Sequence, residues 1–342
     1  MKSITLKEPG SFELTTSADP GDPGEGMARI RIDKVGICGT DLHAFRGRQP
    51  FFEYPRILGH ELGVVVEAVG PDVDGIAVGD RCAVEPYLNC GTCIACRAGK
   101  ENCCTQLRVL GVHIDGGMRE SIVVPASKLH RSETLQTQQL ALVETLGIGA
   151  HAVDRTQPGQ DEKVLVIGAG PIGLSVIQFA KVRGADVALL ELNPDRGAFA
   201  REQFGITTLL RDLDTALRDL EEWTDGDLPT AVFDATGNPA SMRSAFSCVA
   251  SGGRLTFVGL VQDEISFSDP EFHRREMTIL ASRNARSDDF RRIVSLIESG
   301  DVNTEPWITH RSDYDGFVEA FPGWLDPEAR VVKAMLDLGG SA

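Results

Sequence analysis

The sequence predicts an α/β protein of two domains, one mainly β and one a doubly wound parallel sheet of six strands. Three observations carry this expectation. The chain has 342 residues, more than the roughly 100–200 of a typical domain, so two separate cores are expected. Its hydrophobic text changes character near Lys163 and changes back after Arg283. A glycine-rich turn stands at the start of the middle stretch, between strand-like and helix-like residues.

The first third alternates short strands with loops. Ala28 to Val35 alternates apolar and polar residues, Gly63 to Val69 is β-branched, and Arg81 to Val84 and Ser121 to Val124 are shorter strands punctuated by Gly and Pro. From Lys163 the apolar runs are strand-length and separated by helix-length segments. They are Val164–Ile167, Val187–Leu190, Thr207–Leu210, Ala231–Phe233, Leu255–Val258 and Thr278–Leu280. Strands apolar on both faces belong to a parallel sheet with helices on each side, and six of them make a complete dinucleotide-binding fold. Residues 288–300 have helical spacing, acids in the first turn and Gly at the end. Strand text at Val331–Leu336 then predicts that the tail rejoins the first domain. The boundaries fall at 1–148 and 286–342 for the mainly β domain and 149–285 for the nucleotide domain, which is thus an insertion. There is no internal repeat, and the Pro/Gly-rich piece at 19–24 is only loop-sized.

Composition excludes several classes. Hydrophobic residues make up 42% and charged residues 25%, a globular mixture without an apolar stretch of the ~18 residues a membrane span needs. The formal charge of -16 repels phosphate backbones and anionic lipid, so neither nucleic acid nor membrane is an expected partner. The first residues, with Lys7, Glu8 and Pro9 close behind Met1, lack the apolar core of a signal peptide, and a cytoplasmic location is expected. In such a reducing compartment clustered cysteines point to metal or chemistry rather than disulfides.

The turn Gly168-Ala169-Gly170-Pro171-Ile172-Gly173 follows the first middle strand and precedes the helix-like Leu174 to Arg183. Gly168 permits the tight turn, Gly170 lets backbone approach a pyrophosphate, and Gly173 lets helix and strand pack closely; the helix N-terminus faces the phosphates. This is the Rossmann fingerprint. The second strand ends in Glu191, close to the roughly 20-residue spacing of the acid that accepts from the adenosine ribose hydroxyls. Its charge opposes a 2'-phosphate and predicts NAD over NADP, with Arg196 nearby acting the other way.

Two cysteine-containing sets suggest metal. Cys90, Cys93 and Cys96 are followed by the adjacent Cys103 and Cys104, enough thiolates in one loop for a closed structural zinc site, with the fourth position open between the last two. The second set is dispersed: Cys38, Thr40, Asp41 and His43 in one segment, then His60 and Glu61.

With these motifs in this order, the chain resembles the zinc-dependent alcohol dehydrogenases of the medium-chain dehydrogenase/reductase superfamily. The resemblance runs over essentially the whole length: Cys38-Gly39-Thr40-Asp41-Leu42-His43, Gly59-His60-Glu61, Gly79-Asp80-Arg81-Cys82, the cysteine loop, the glycine fingerprint and Phe233-Asp234-Ala235-Thr236-Gly237. It implies that the mainly β domain is GroES-like and that each chain uses one catalytic and one structural zinc. By resemblance Cys38 and His60 ligate the catalytic zinc, Glu144 takes the further position, and Glu61 ligates or stays just outside. The family's spacing of seven residues between the third and fourth loop cysteines selects Cys104 over Cys103. Asp41 resembles the partner of the other imidazole N–H of His60, Thr40 the hydroxyl that takes the substrate proton, and His43 the imidazole that passes it to solvent. Thr145 and Cys103 depart from the family's usual text without touching a proposed ligand.

The implied chemistry is transfer of hydride from an alcohol carbon to NAD, with zinc lowering the alcohol's pKa. Glu144, the segment Gln49 to Arg56 and Arg283 resemble the polyol and hexonate branch, so the expected substrate is a small polyol or a sugar acid, whose carboxylate suits a guanidinium fork. Threonine or simple-alcohol oxidation is the alternative within the family. A zinc-free reductase would lack Cys38, His60 and Glu144, and a catalytically silent cofactor-binding protein would have lost Thr40 or His43; all are present. Relatives of this kind are dimers or tetramers, so a homo-oligomer is expected by resemblance.

Overall fold

The computed structural model describes residues 1–49 and 52–339, so Pro50 and Phe51 of the segment compared above lie outside the described residues. The chain divides into two compact units, 1–145 with 285–342, and 146–284.

The first unit is built on a seven-stranded sheet. Its order runs Ile308–Asp313, Lys333–Asp337, Met27–Ile37, Glu61–Val69, Arg81–Val84, Leu129–Ser132, with Ser121–Pro125 also pairing with Met27–Ile37. The long strand Met27–Ile37 follows the period of two: Ala28, Ile30 and Ile32 are buried while the charged residues between them are not. These side chains belong to a core that includes Leu6, Leu62, Val64, Phe317, Phe321 and Leu336. The tail strand Lys333–Asp337 runs antiparallel to Met27–Ile37, with Met335 opposite Gly36. On its other side Gly36 stands opposite Glu61. Lys2–Glu8 and Ser11–Thr16, which the sequence reading left without an element, form a hairpin.

The second unit contains a six-stranded parallel sheet ordered Thr208–Leu210, Asp186–Leu190, Lys163–Ile167, Ala231–Asp234, Arg254–Phe257, Thr278–Ala281. In chain order this is 3-2-1-4-5-6, with the direction of winding reversing beside Lys163–Ile167, the position where such sheets bind ligands at their carboxyl ends. Val164, Leu165, Val166 and Ile167 are all buried, the two-faced burial expected of a central parallel strand. The edge strand Thr278–Ala281 is half-exposed along its length.

Candidate active site

The cysteine loop is local in sequence and in space. Cys90, Cys93, Cys96 and Cys104 bring their sulfurs within 4.8 Å of one another, whereas Cys103 is exposed and outside the group. Backbone amides turn inward onto these sulfurs: Cys93 N–H donates to Cys90 Sγ, and Cys90 N–H and Gln106 N–H donate to Cys104 Sγ, each at 3.3 Å. Amides from Cys96 and Thr105 hold the Cys93 thiol down to about 5, and those of Thr92 and Cys93 hold Cys90 at about 7. Partial burial, together with the neighbouring Cys93, pushes Cys96 up to about 11. Four cysteine sulfurs within 4.8 Å of one another are the donor set of a structural zinc, and the loop fits that ion.

The second cluster is assembled from distant segments. Cys38 caps the helix Gly39–Phe45, where the Asp41 carboxylate turns back to accept from Cys38 N–H at 2.9 Å. That places the Thr40 hydroxyl 3.8 Å from the Cys38 sulfur and leaves His43 exposed. His60 and Glu61 arrive on the strand Glu61–Val69 and the residue before it, and Cys38, His60 and Glu61 bring one donor atom each within 4.8 Å.

The cluster is buried and incompletely satisfied. His60 is 4% exposed and Glu61 is 0% exposed. His60 Nδ1 faces Asp41 Oδ1 at 4.0 Å, close enough for charge but too far for the hydrogen bond expected from the resemblance, and neither atom has another partner. Glu61 Oε2 is likewise buried without a partner. Buried polar atoms normally have partners, so the unpartnered Glu61 Oε2 in a side chain grouped with the Cys38 thiol and the His60 imidazole marks a place for a cation. Burial pulls the His60 imidazole down, but Cys38 and the nearby Asp41 and Glu144 charges leave it well above its ordinary value. Burial raises the Asp41 carboxyl against the opposing charge of His60. A cysteine sulfur and an imidazole with a carboxylate at their side fit a catalytic zinc.

Glu144, expected to be a ligand, stands outside the trio. It lies in the first turn of the helix Val143–Thr156 and its Oε1 accepts from the Tyr87 hydroxyl. Burial raises the Glu144 carboxyl, with the charge of Glu61 adding to the effect while His60 opposes it. Burial next to that carboxylate also drives the Tyr87 hydroxyl well above its ordinary value. Glu61 Oε1 is 2.6 Å from Lys333 Nζ, and Lys333 also donates to Ile37 O at 3.2 Å. Burial would lower that amine, but the charges of Glu61, Cys38 and Glu144 hold it above its usual value. The sequence reading missed Tyr87 and Lys333. Lys333 did leave a signal, a lone charge within the apolar run Val331 to Leu336. Tyr87, two residues after Glu85, left none.

In the second unit the fingerprint glycines do distinct things. Gly168 has φ +96°, the left-handed region that glycine tolerates. A Cβ on Gly173 would collide with the Gly168 carbonyl, while one on Gly170 would meet nothing within 4 Å, so the space beside Gly170 is open. Pro171 starts the helix Pro171–Val182, and Ile172 follows in its first turn. Glu191 Oε2 accepts from Ala169 N–H at 2.7 Å and Oε1 from Asn193 N–H at 2.8 Å. That carboxylate therefore braces the glycine loop. Arg196 is exposed on the helix Pro194–Phe204, and Arg283 is exposed just past Thr278–Ala281.

Residues 24–134 match the family described as alcohol dehydrogenase GroES-like domain, and residues 171–299 match zinc-binding dehydrogenase. Among curated proteins the chain is 40% identical over 318 residues to L-galactonate-5-dehydrogenase of Escherichia coli K12, covering 92% of each. It is 31% identical to 2-dehydro-3-deoxy-L-galactonate 5-dehydrogenase of Pseudoalteromonas atlantica, again covering 92% of each. Among solved structures, an alcohol dehydrogenase of Escherichia coli CFT073 complexed with NADH superposes with a TM-score of 0.91 at 31% identity, over 99% of each chain.

Proposed function

Since this chain belongs to the zinc-binding alcohol dehydrogenases, we propose that it oxidises a secondary alcohol of a polyol or sugar acid to the ketone with NAD as hydride acceptor. The observation that carries the proposal is the trio of half-buried Cys38 with buried His60 and Glu61, with the Thr40 hydroxyl 3.8 Å from the Cys38 sulfur and Glu61 Oε2 unpartnered. Cys38 and His60 would hold a zinc that would supply Lewis acidity toward the substrate hydroxyl, and the four-cysteine loop would hold a second zinc that would keep it folded.

The chain's own residues do the rest. Thr40 accepts the substrate proton and His43, exposed at the helix surface, hands it on to solvent. Partial burial, then the positive charges of Arg46 and Arg48, hold the His43 imidazole below its ordinary value, so it stays neutral and able to accept a proton near pH 7. Asp41 stands behind His60 and orients it. In the nucleotide unit the glycine loop receives the pyrophosphate, and Glu191 takes the ribose hydroxyls and disfavours a 2'-phosphate. The two E. coli and Pseudoalteromonas relatives named above are dehydrogenases of six-carbon sugar acids, which favours an aldonate, with Arg283 binding its carboxylate or hydroxyls.

No helix among the described residues is long and apolar enough to cross a membrane. The reading places the enzyme in the cytoplasm, where its thiolates stay reduced. The half-exposed edge strand Thr278–Ala281 leaves ladder groups for a second copy, so a homodimer or homotetramer paired along that edge completes the proposal. The test is an NAD-reduction screen over aldonates, polyols, threonine and simple alcohols, run with Arg283→Ala alongside. The aldonate should be preferred, and the variant should lose about tenfold or more kcat/KM on it relative to a simple secondary alcohol. Equal losses on both substrates, or a wild-type preference for threonine or ethanol, would overturn the substrate assignment.

A further inference from the structure

Lys333 is a buried cation that the chemistry above leaves unused. Its side chain is 1% exposed, its ammonium lies 2.6 Å from Glu61 Oε1, and it donates to Ile37 O at 3.2 Å. An ammonium is retained at such depth only where partners offset its desolvation. Three neighbouring strands make the pair. Gly36 stands opposite Met335 on one side and Glu61 on the other, and Lys333 is two residues before Met335, on the same face of its strand. Since Gly36 has no side chain, the Glu61 carboxylate lies across the gap toward Lys333; a Cβ at position 36 would collide with Glu61 Oε2.

The two oxygens of Glu61 thus differ. Oε1 is fixed by the ammonium and the backbone behind it, while Oε2 is buried with no partner, in a side chain whose donor atom lies within 4.8 Å of those of Cys38 and His60. Resting on the reading of that trio as a metal centre, we infer that Lys333 is a positioning residue. It holds Glu61 beside the Cys38–His60 pair and keeps the carboxylate from closing permanently on the metal, so a coordination place stays available to a substrate oxygen. Without the ammonium, both carboxylate oxygens lack a partner and the site loses a compensating positive charge; both changes draw Glu61 onto a divalent cation.

The test uses the full chain with cobalt in place of zinc, reading its visible spectrum and its affinity by chelator competition. Cys38→Ser supplies the contribution of the four-cysteine loop for subtraction. Glu61→Gln should keep the wild-type spectrum, because Glu61 is not a standing ligand. Lys333→Met should shift the spectrum and bind cobalt about tenfold or more tightly, and both changes should vanish when Glu61→Gln is added. Lys333→Arg, which keeps the charge, should behave as wild type. Should the methionine chain fail to fold, Lys333→Gln carries the same expectation. The inference is overturned by an unchanged spectrum and affinity on loss of the lysine charge, by the same change with glutamine at 61, or by a spectral change in Glu61→Gln alone. If Cys38→Ser has the wild-type spectrum, the metal-site reading itself fails and this inference falls with it.

Discussion

The first unit holds two clusters built around cysteine, and they solve opposite problems. The loop of Cys90, Cys93, Cys96 and Cys104 closes on itself: every donor comes from a short segment, and backbone amides donate to the sulfurs of Cys90 and Cys104. The cluster of Cys38, His60 and Glu61 is gathered from separate segments, is deeper, and leaves His60 Nδ1, Asp41 Oδ1 and Glu61 Oε2 unsatisfied. Polar neighbours brace it, with the Lys333 ammonium on one oxygen of Glu61 and the Tyr87 hydroxyl on Glu144. A closed donor set spends its binding energy on folding, and an open one keeps a place for chemistry. The contrast teaches that ligand identity alone does not separate the two roles; what surrounds the ligands does.

The largest effect that could break this contrast is on turnover. Cys38→Ser should cost roughly a thousandfold or more in kcat while leaving the melting temperature nearly unchanged, because the core around it does not depend on the metal. Cys93→Ser should do the reverse, costing about 3 kcal/mol or more of stability, on the order of 10 °C, as judged by thermal unfolding. If the two variants lose stability equally, the division into closed and open sites is wrong. Elemental analysis of fully loaded protein should find two zinc ions per chain, and mild chelation should remove activity before it lowers the melting temperature.

Smaller effects sharpen the picture away from the metal. Glu191→Ala should narrow the preference for NAD over NADP by about tenfold, since it removes one charge facing a 2'-phosphate. It should also weaken NAD itself, because the carboxylate braces the glycine loop through Ala169 N–H. Dissociation constants for both dinucleotides read this directly, and an unchanged ratio would remove Glu191 from the ribose site. The smallest effect is expected at His43. Its lowered imidazole pKa keeps it neutral at neutral pH and below, and only under that lowered value does it take up the proton that blocks relay. His43→Ala should therefore slow alcohol oxidation by a few-fold to about tenfold below neutral pH and converge on wild type as hydroxide takes over. A uniform loss at every pH would assign His43 a structural role.

The same contrast decides how much was legible before the fold was known. The cysteine loop could be read from spacing because its ligands are close in sequence, and the backbone turn that joins them is local. Gly168, Gly170 and Gly173 were legible for a similar reason: strand, turn and helix follow one another, and each glycine answers a local demand. The six parallel strands declared themselves as apolar runs of strand length separated by helix-length segments.

What the fold alone decided is the state of each donor. Sequence placed Cys38, His60, Glu61 and Glu144 in one set, and tertiary structure drew Glu61 into the trio while turning Glu144 to Tyr87. It left His60 and Asp41 in range of charge but short of a hydrogen bond. Above all it brought Lys333 to Glu61 across the space left by Gly36, a contact between residues 272 positions apart. The residue types that do chemistry are written in the chain, because reactivity belongs to functional groups. Their ionisation, their partners and their freedom to bind are not, because a buried charge is set by what strand register places beside it.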